Sequence, residues 1–155
     1  MKISKILFPT DFSIYSEKAL QDTVEYARQH NAELIILHVI EIHHAYDAYG
    51  NNLAPILYYE KIDEIREVVQ KRLANLIETY KEYPAIRFRI NEGNPFEEIL
   101  QTEIEEDVDL IVMGSHGHTF SIFALLGSVT EKVVRKSNRS VFVLKYPKLK
   151  KNSES

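Results

Sequence analysis

Five short runs rich in Val, Ile, Leu and Phe recur along the chain, at Lys5–Pro9, Glu33–Val39, Ile86–Asn91, Asp109–Met113 and Ser140–Lys145. The segments between them carry helix periodicity. That alternation constrains the fold more than any other feature of the sequence. Most of the runs are continuously apolar, as strands covered on both faces are, and such strands belong to parallel sheets flanked by helices. Ile86–Asn91 instead alternates apolar and polar residues, which places it near a sheet edge with one wet face. From Ser13, a capping residue, to about His30, the residues Leu20, Val24 and Ala27 recur at helix spacing. From Glu60 to Tyr80, Ile62, Ile65, Val69, Leu73, Leu76, Ile77 and Tyr80 form one stripe, while Lys61, Glu64, Glu67 and Lys71 occupy the other faces. A third helix starts near Pro95 and carries Phe96, Ile99, Leu100 and Ile104; a fourth starts near Ser128 and carries Val129, Val133 and Val134. The pattern predicts an α/β fold: an open, mostly parallel sheet with right-handed crossovers.

A chain of 155 residues is long enough for one core, so a single domain is expected over residues 1–146, followed by a polar tail at 147–155. The charge balance, 19 basic against 23 acidic residues, offers no diffuse basic surface for nucleic acid. With no Cys, disulfide frameworks, thiolate zinc sites, iron–sulfur clusters and cysteine nucleophiles are excluded, and the cytoplasm is the expected compartment. Ile6-Leu7-Phe8 is too short for a signal-peptide core. The run from Leu34 to Ile40, interrupted by His38, is far below the roughly 20 residues of a membrane span, so no membrane association is expected.

In an open parallel sheet, ligands bind beyond the carboxyl ends of the strands, where the strand order reverses. The residues just past each strand are therefore the ones to inspect. They are Pro9-Thr10-Asp11 after the first strand, Val39 at the end of the second, and Met113-Gly114-Ser115-His116-Gly117 after the fourth, with Gly127-Ser128-Val129 opening the last helix. Glycine lets backbone amides approach a ligand and permits positive φ. Amides from such a loop, joined by the unpaired ones at a helix start, cradle an anion. Ser128 is expected to cap the last helix and to offer its hydroxyl to a phosphate.

The combined pattern, Gly114-x2-Gly117-x9-Gly127-Ser128 directly after a strand and directly before a helix, resembles the signature of nucleotide-binding universal stress proteins. The resemblance extends to Ile6-Leu7-Phe8-Pro9-Thr10-Asp11-Phe12-Ser13, to Leu37-His38-Val39 and to Asp109-Leu110-Ile111-Val112-Met113-Gly114, and covers Lys2 to Lys145. It implies a Rossmann-like sheet of the adenine nucleotide alpha hydrolase type, ordered 3-2-1-4-5 with helices on both faces. It also implies ATP, with or without Mg2+, between the first and fourth strands. Pro9, Thr10 and Asp11 would then meet the nucleoside, with Val39 beside the adenine. Met113, Gly114, His116, Gly117, Gly127, Ser128 and Val129 would line ribose and phosphates. An acidic side chain suits sugar hydroxyls, and phosphates want N–H donors, so the physical reading agrees. A homodimer through the apolar edge strand Ser140–Lys145 is expected both from the resemblance and because such an edge needs covering.

One feature departs from the family pattern. Between Gly117 and Gly127 the chain has no Lys or Arg, which leaves the choice between ATP, AMP and cyclic AMP open; His116 and His118 would substitute as cations only when protonated, and an ordinary imidazole is mostly neutral at neutral pH. No Gly-Lys-Ser/Thr follows a glycine loop, so a P-loop enzyme is excluded. The acidic pair and acceptor Asp of a phosphorelay receiver are missing. Without a base and a cation for developing charge, no catalytic residues are assigned and the expected role is a regulatory, stress-response module acting on a protein partner, with a slow Mg-dependent ATPase as the alternative. The long connection Glu41–Tyr59 holds His43, His44, Asp47 and several tyrosines. The spacing with His38 matches no known metal site, and His38 itself reads as a satisfied core histidine.

Overall fold

The structure, a computed structural model, describes residues 2–42, 49–50, 61–83, 85–117 and 126–147. The strands are β1 Lys5–Pro9, β2 Glu33–Glu41, β3 Ile86–Gly93, β4 Leu110–Gly114 and β5 Ser140–Leu144. The helices are α1 Ile14–His30, α2 Ile62–Thr79, α3 Pro95–Glu105 and α4 Ser128–Lys136. All pairings are parallel and the order is β3-β2-β1-β4-β5, as expected. None of the described helices is long and apolar enough to cross a membrane.

The two-sided burial that the apolar runs demanded is visible residue by residue. Leu34, Ile35, Ile36 and Leu37 of β2 are all fully buried. Ile6, Phe8, Leu34, Ile36, Leu110 and Val112 point to a core shared with Leu20 and Val24 of α1 and with Val69 and Leu73 of α2. Leu7, Ile35, Leu37, Ile111 and Met113 point to the other face, against Ile99 of α3 and Val133 of α4. The helices thus cover both faces of the sheet. The helix starts are set by local chemistry: the Ser13 hydroxyl accepts from the Ser16 amide at 3.1 Å, and the Asn94 side chain accepts from Phe96 and Glu97 at 3.0 and 3.3 Å, with Pro95 in the first turn.

Several sequence expectations need correction. Ile65, Ile104 and Val134 match their helical stripes but are 43%, 65% and 44% exposed, because they lie at the margin of arcs wider than the contact each helix makes with the sheet. Gly127, not Ser128, is the N-cap of α4, and the cap has no side-chain hydrogen bond. Tyr146, the last residue of the expected domain, packs against the core and its hydroxyl donates to Asp22 at 2.5 Å. Residues 148–155 and most of the connection after Glu41, including His43, His44, Asp47, Tyr58 and Tyr59, lie outside the described residues.

The two edges of the sheet differ. On β3 the polar face carries Arg87 and Arg89, which engage Glu33, Glu105 and Glu106 from β2 and the end of α3. The Arg87 guanidinium, 2.5 Å away, holds the Glu106 carboxyl below its ordinary value, with Arg89 adding to the effect. β5 shows Phe142, 39% exposed, with its inner flank against Tyr26 at 5.6 Å between ring centres.

Candidate nucleotide site

The crevice follows from where the central ladder stops. β1 pairs with β2 as far as Pro9↔Leu37, and β4 pairs with β5 as far as Gly114↔Leu144. Between β1 and β4 the register ends at Leu7↔Ile111, so their last residues are not paired with each other. This is the point where the chain order reverses across the sheet, and the carboxyl ends of both strands open onto it.

On the β1 side, the amide of Thr10 continues the ladder to the Leu37 carbonyl at 2.8 Å. The chain then turns through Phe12, whose φ of 60° is left-handed. For a bulky side chain that conformation costs on the order of 1–3 kcal/mol and persists only where the surroundings over-determine it. The surroundings here do so. The Phe12 amide donates to Thr10 Oγ1 at 3.1 Å, and that oxygen is 2.8 Å from the buried Ser16 hydroxyl. The Ser13 amide donates to Asp11 Oδ1 at 2.9 Å. Thr10 is 7% exposed, so its hydroxyl is occupied in shaping the turn, while Asp11 is the half-buried member.

Asp11 Oδ2 lies directly against Gly117. A Cβ built on Gly117 would overlap Oδ2 and stand 3.2 Å from Asp11 Cγ. Gly127 closes the same corner: its Cβ would lie 3.5 Å from the Ser115 carbonyl oxygen, 3.6 Å from His116 Cα and 3.8 Å from the Gly117 amide. The Gly127 amide donates to the Ser115 carbonyl at 2.7 Å, and Thr130 Oγ1 donates to the Gly114 carbonyl at 3.0 Å, so the first turn of α4 is sewn to the loop after β4. Positive φ is not the reason for these glycines. Gly127 has φ −66°, and the left-handed glycines among the described residues are Gly50 and Gly93. At 117 the sequence needs space, not backbone freedom, whereas a methyl at 114 or 127 would meet its neighbours at ordinary contact distances.

The remaining predicted residues arrange around this corner. The first-turn amides of α4 at Ser128, Val129 and Thr130 have no side-chain cap, and the first helical bond runs from the Glu131 amide to the Gly127 carbonyl at 2.9 Å. Uncapped amides at a helix start attract negative charge. Ser128 is exposed beside them. Met113 is buried in the α3/α4-side core and Val39 packs against it. Val39 lies two residues past the Pro9↔Leu37 pair, level with Asp11. His116 is 6% exposed, with Nδ1 3.0 Å from the Ser115 hydroxyl; His118 lies outside the described residues. His38 is half-buried and its Nδ1 donates to the Thr10 carbonyl at 2.8 Å, because a carbonyl can only accept. Burial holds the His38 imidazole below its ordinary pKa, partly offset by that hydrogen bond and by Asp11. Ser16 escaped the sequence reading, and Thr130, which opens the last helix with Gly127-Ser128-Val129, was not among the expected site residues. A hydroxyl residue in the first turn of a helix that follows a glycine loop was the available signal for Thr130.

A cleft of about 420 Å3 between α1 and the end of α2 has Lys18, Asp22, Glu25, Arg28 and Tyr80 in its walls. It lies away from the strand ends, and its charges are mixed in sign. Among the described residues no group of three or more His, Asp or Glu could hold a metal ion.

A parallel α/β sheet with a glycine-lined crevice at its reversal point defines a Rossmann-like, ligand-binding class of fold. Within that class the family model of the universal stress proteins matches residues 2–145. The chain belongs to the universal stress protein family. It is 36% identical to universal stress protein MJ0577 of Methanocaldococcus jannaschii over 91% of this chain and 94% of that one. The solved structure of MJ0577 superposes with a TM-score of 0.80 at 33% identity, covering 96% of this chain and 100% of that chain. YxiE of Bacillus subtilis, also a universal stress protein, is 36% identical over 92% of this chain and 99% of its own. The universal stress protein from Archaeoglobus fulgidus in complex with dAMP shares the fold, with a TM-score of 0.60 at 20% identity over 92% of this chain and 98% of that one.

Proposed function

We propose that the chain binds an adenine nucleotide, ATP foremost, in the crevice between β1 and β4, and that occupancy regulates a protein partner. In this reading Asp11 accepts from the ribose hydroxyls, Val39 borders the base, and the amides of Gly117, Ser128 and Val129 hold the phosphates. Any Mg2+ would arrive on the phosphates. The observation that carries the reading is the meeting of Asp11, Gly117 and Gly127 at one corner, with an uncapped helix start beside them. It supplies an acceptor for hydroxyls and donors for an anion within one ligand's length. The Archaeoglobus fulgidus protein, solved in complex with dAMP, is in keeping with a nucleotide ligand on this fold. The compartment we assign is the cytoplasm, which supplies ATP, and the assembly we assign is a homodimer through β5, where Phe142 is exposed on an edge strand.

Equilibrium dialysis with ATP, AMP and cyclic AMP tests the site. Saturable binding that Gly127→Val abolishes is expected, because the valine methyls would reach the backbone of Ser115 to Gly117. No binding to any of the three at millimolar concentration overturns the reading.

A further inference from the structure

Beside Asp11 lies a cluster drawn from three separate elements: Phe12, His38 of β2 and Arg72 of α2. The His38 ring sits 4.4 Å from the Phe12 ring, tilted by 33°. The Arg72 guanidinium carbon is 4.3 Å from the centre of the same ring, and its Nη2 donates to the Phe12 carbonyl at 3.2 Å. Arg72 is itself steadied by Glu17 of α1 at 3.6 Å. Phe12 is therefore held at its ring, at its carbonyl by Arg72, and at its amide by Thr10.

This grip decides where Asp11 points. With Phe12 left-handed, the Ser13 amide turns back onto Asp11 Oδ1 and leaves Oδ2 against Gly117. A bulky residue released from its partners returns to the extended or right-handed region, and the Ser13 amide swings off the carboxylate with it. A flat guanidinium can stack on a ring and donate to a carbonyl at once, which an ammonium cannot do as well. Building on the nucleotide reading above, we propose that Arg72 and His38 are positioning residues: by holding Phe12 left-handed they aim the Asp11 carboxylate and so set the preference for a sugar that carries hydroxyls.

The test is isothermal titration of the full chain with ATP and with 2′,3′-dideoxy-ATP, reading the ratio of the two affinities. The natural chain is expected to favour ATP about tenfold, and Asp11→Asn to bring the ratio to about one. A natural ratio of one, or a ratio that Asp11→Asn leaves unchanged, removes the sugar role of Asp11 and the positioning proposal with it. Given a ratio that depends on Asp11, Arg72→Ala is expected to reduce it to less than about threefold while the dideoxy affinity stays within about twofold of natural. Arg66→Ala, on the same helix but paired with Glu92, should leave the ratio as it is. If Arg72→Ala keeps the natural ratio, or weakens both nucleotides equally, Arg72 does not position Asp11 although the site itself stands. The Arg72 side chain is 52% exposed, so the variant should fold. If it does not, Arg72→Lys carries the same test: a lowered ratio supports the proposal and a natural one overturns it.

Discussion

The two lips of the crevice are built in opposite ways. The β1 lip is made of side chains whose polar atoms are committed: Thr10 to Phe12 and Ser16, Asp11 to Ser13, Ser13 to Ser16. The β4 lip is made of missing side chains, with Gly117 fitted against Asp11 and Gly127 against the loop backbone. A lip of side chains supplies a directed carboxylate; a lip of glycines, with an uncapped helix start beside it, supplies backbone amides without bulky side chains over them. In the proposed reading sugar recognition belongs to the first and phosphate recognition to the second, and the two meet where Asp11 touches Gly117.

That interlock predicts unequal glycines. Gly117→Ala forces a methyl into the Asp11 carboxylate, so nucleotide affinity should fall by roughly 100-fold, the loss of a hydrogen-bonded charge together with its aim. Gly127→Ala places its methyl at ordinary contact distances of 3.5 to 3.8 Å. It should weaken nucleotide less than about threefold, while replacing a glycine cap lowers stability by about 1 kcal/mol or less. Equal effects in a dialysis comparison would break the contrast.

A smaller effect tests the β1 lip alone. Burial holds the His38 pKa below about 6.5, its value in the unfolded chain, so the unfolded state takes up the proton first as pH falls. The resulting contribution is complete above that value and is lost as pH drops from about 6.5 toward the folded-state pKa. Urea midpoints measured from pH 8 to pH 5 should therefore decline less steeply for His38→Gln than for the natural chain. Identical slopes would mean that the imidazole is not desolvated. Smallest of all for the crevice, Phe142→Lys puts a charge on β5, 39% exposed in this chain. Sedimentation should show the dimer reduced to monomer, with ATP affinity changed by less than about twofold. A persisting dimer would place the interface elsewhere.

The sheet was legible because the three inner strands, β1, β2 and β4, had to be apolar on both faces, and Ile86–Asn91 announced its edge position by alternating. Helix limits were legible where chemistry marks them, as at Ser13. What the sequence hid is tertiary. Ile104 fits its stripe, yet only the packing decides that it is 65% exposed. Nothing local marks Phe12 as left-handed, since the groups that hold it come from β2 and α2, and Arg72 reads along the chain as one more charge on a solvated helix face. The glycines were found for their spacing, but the need for room rather than for positive φ depends on Asp11 lying opposite Gly117.

The most direct measurement is a titration of the isotopically labelled chain with ATP, followed through its backbone amide resonances. The account predicts saturable shifts at Gly117, Gly127, Ser128 and Val129 together with Asp11, all with one dissociation constant. Shifts confined to other parts of the sheet, or Asp11 and Ser128 responding with different constants, would contradict a single molecule bridging the two lips.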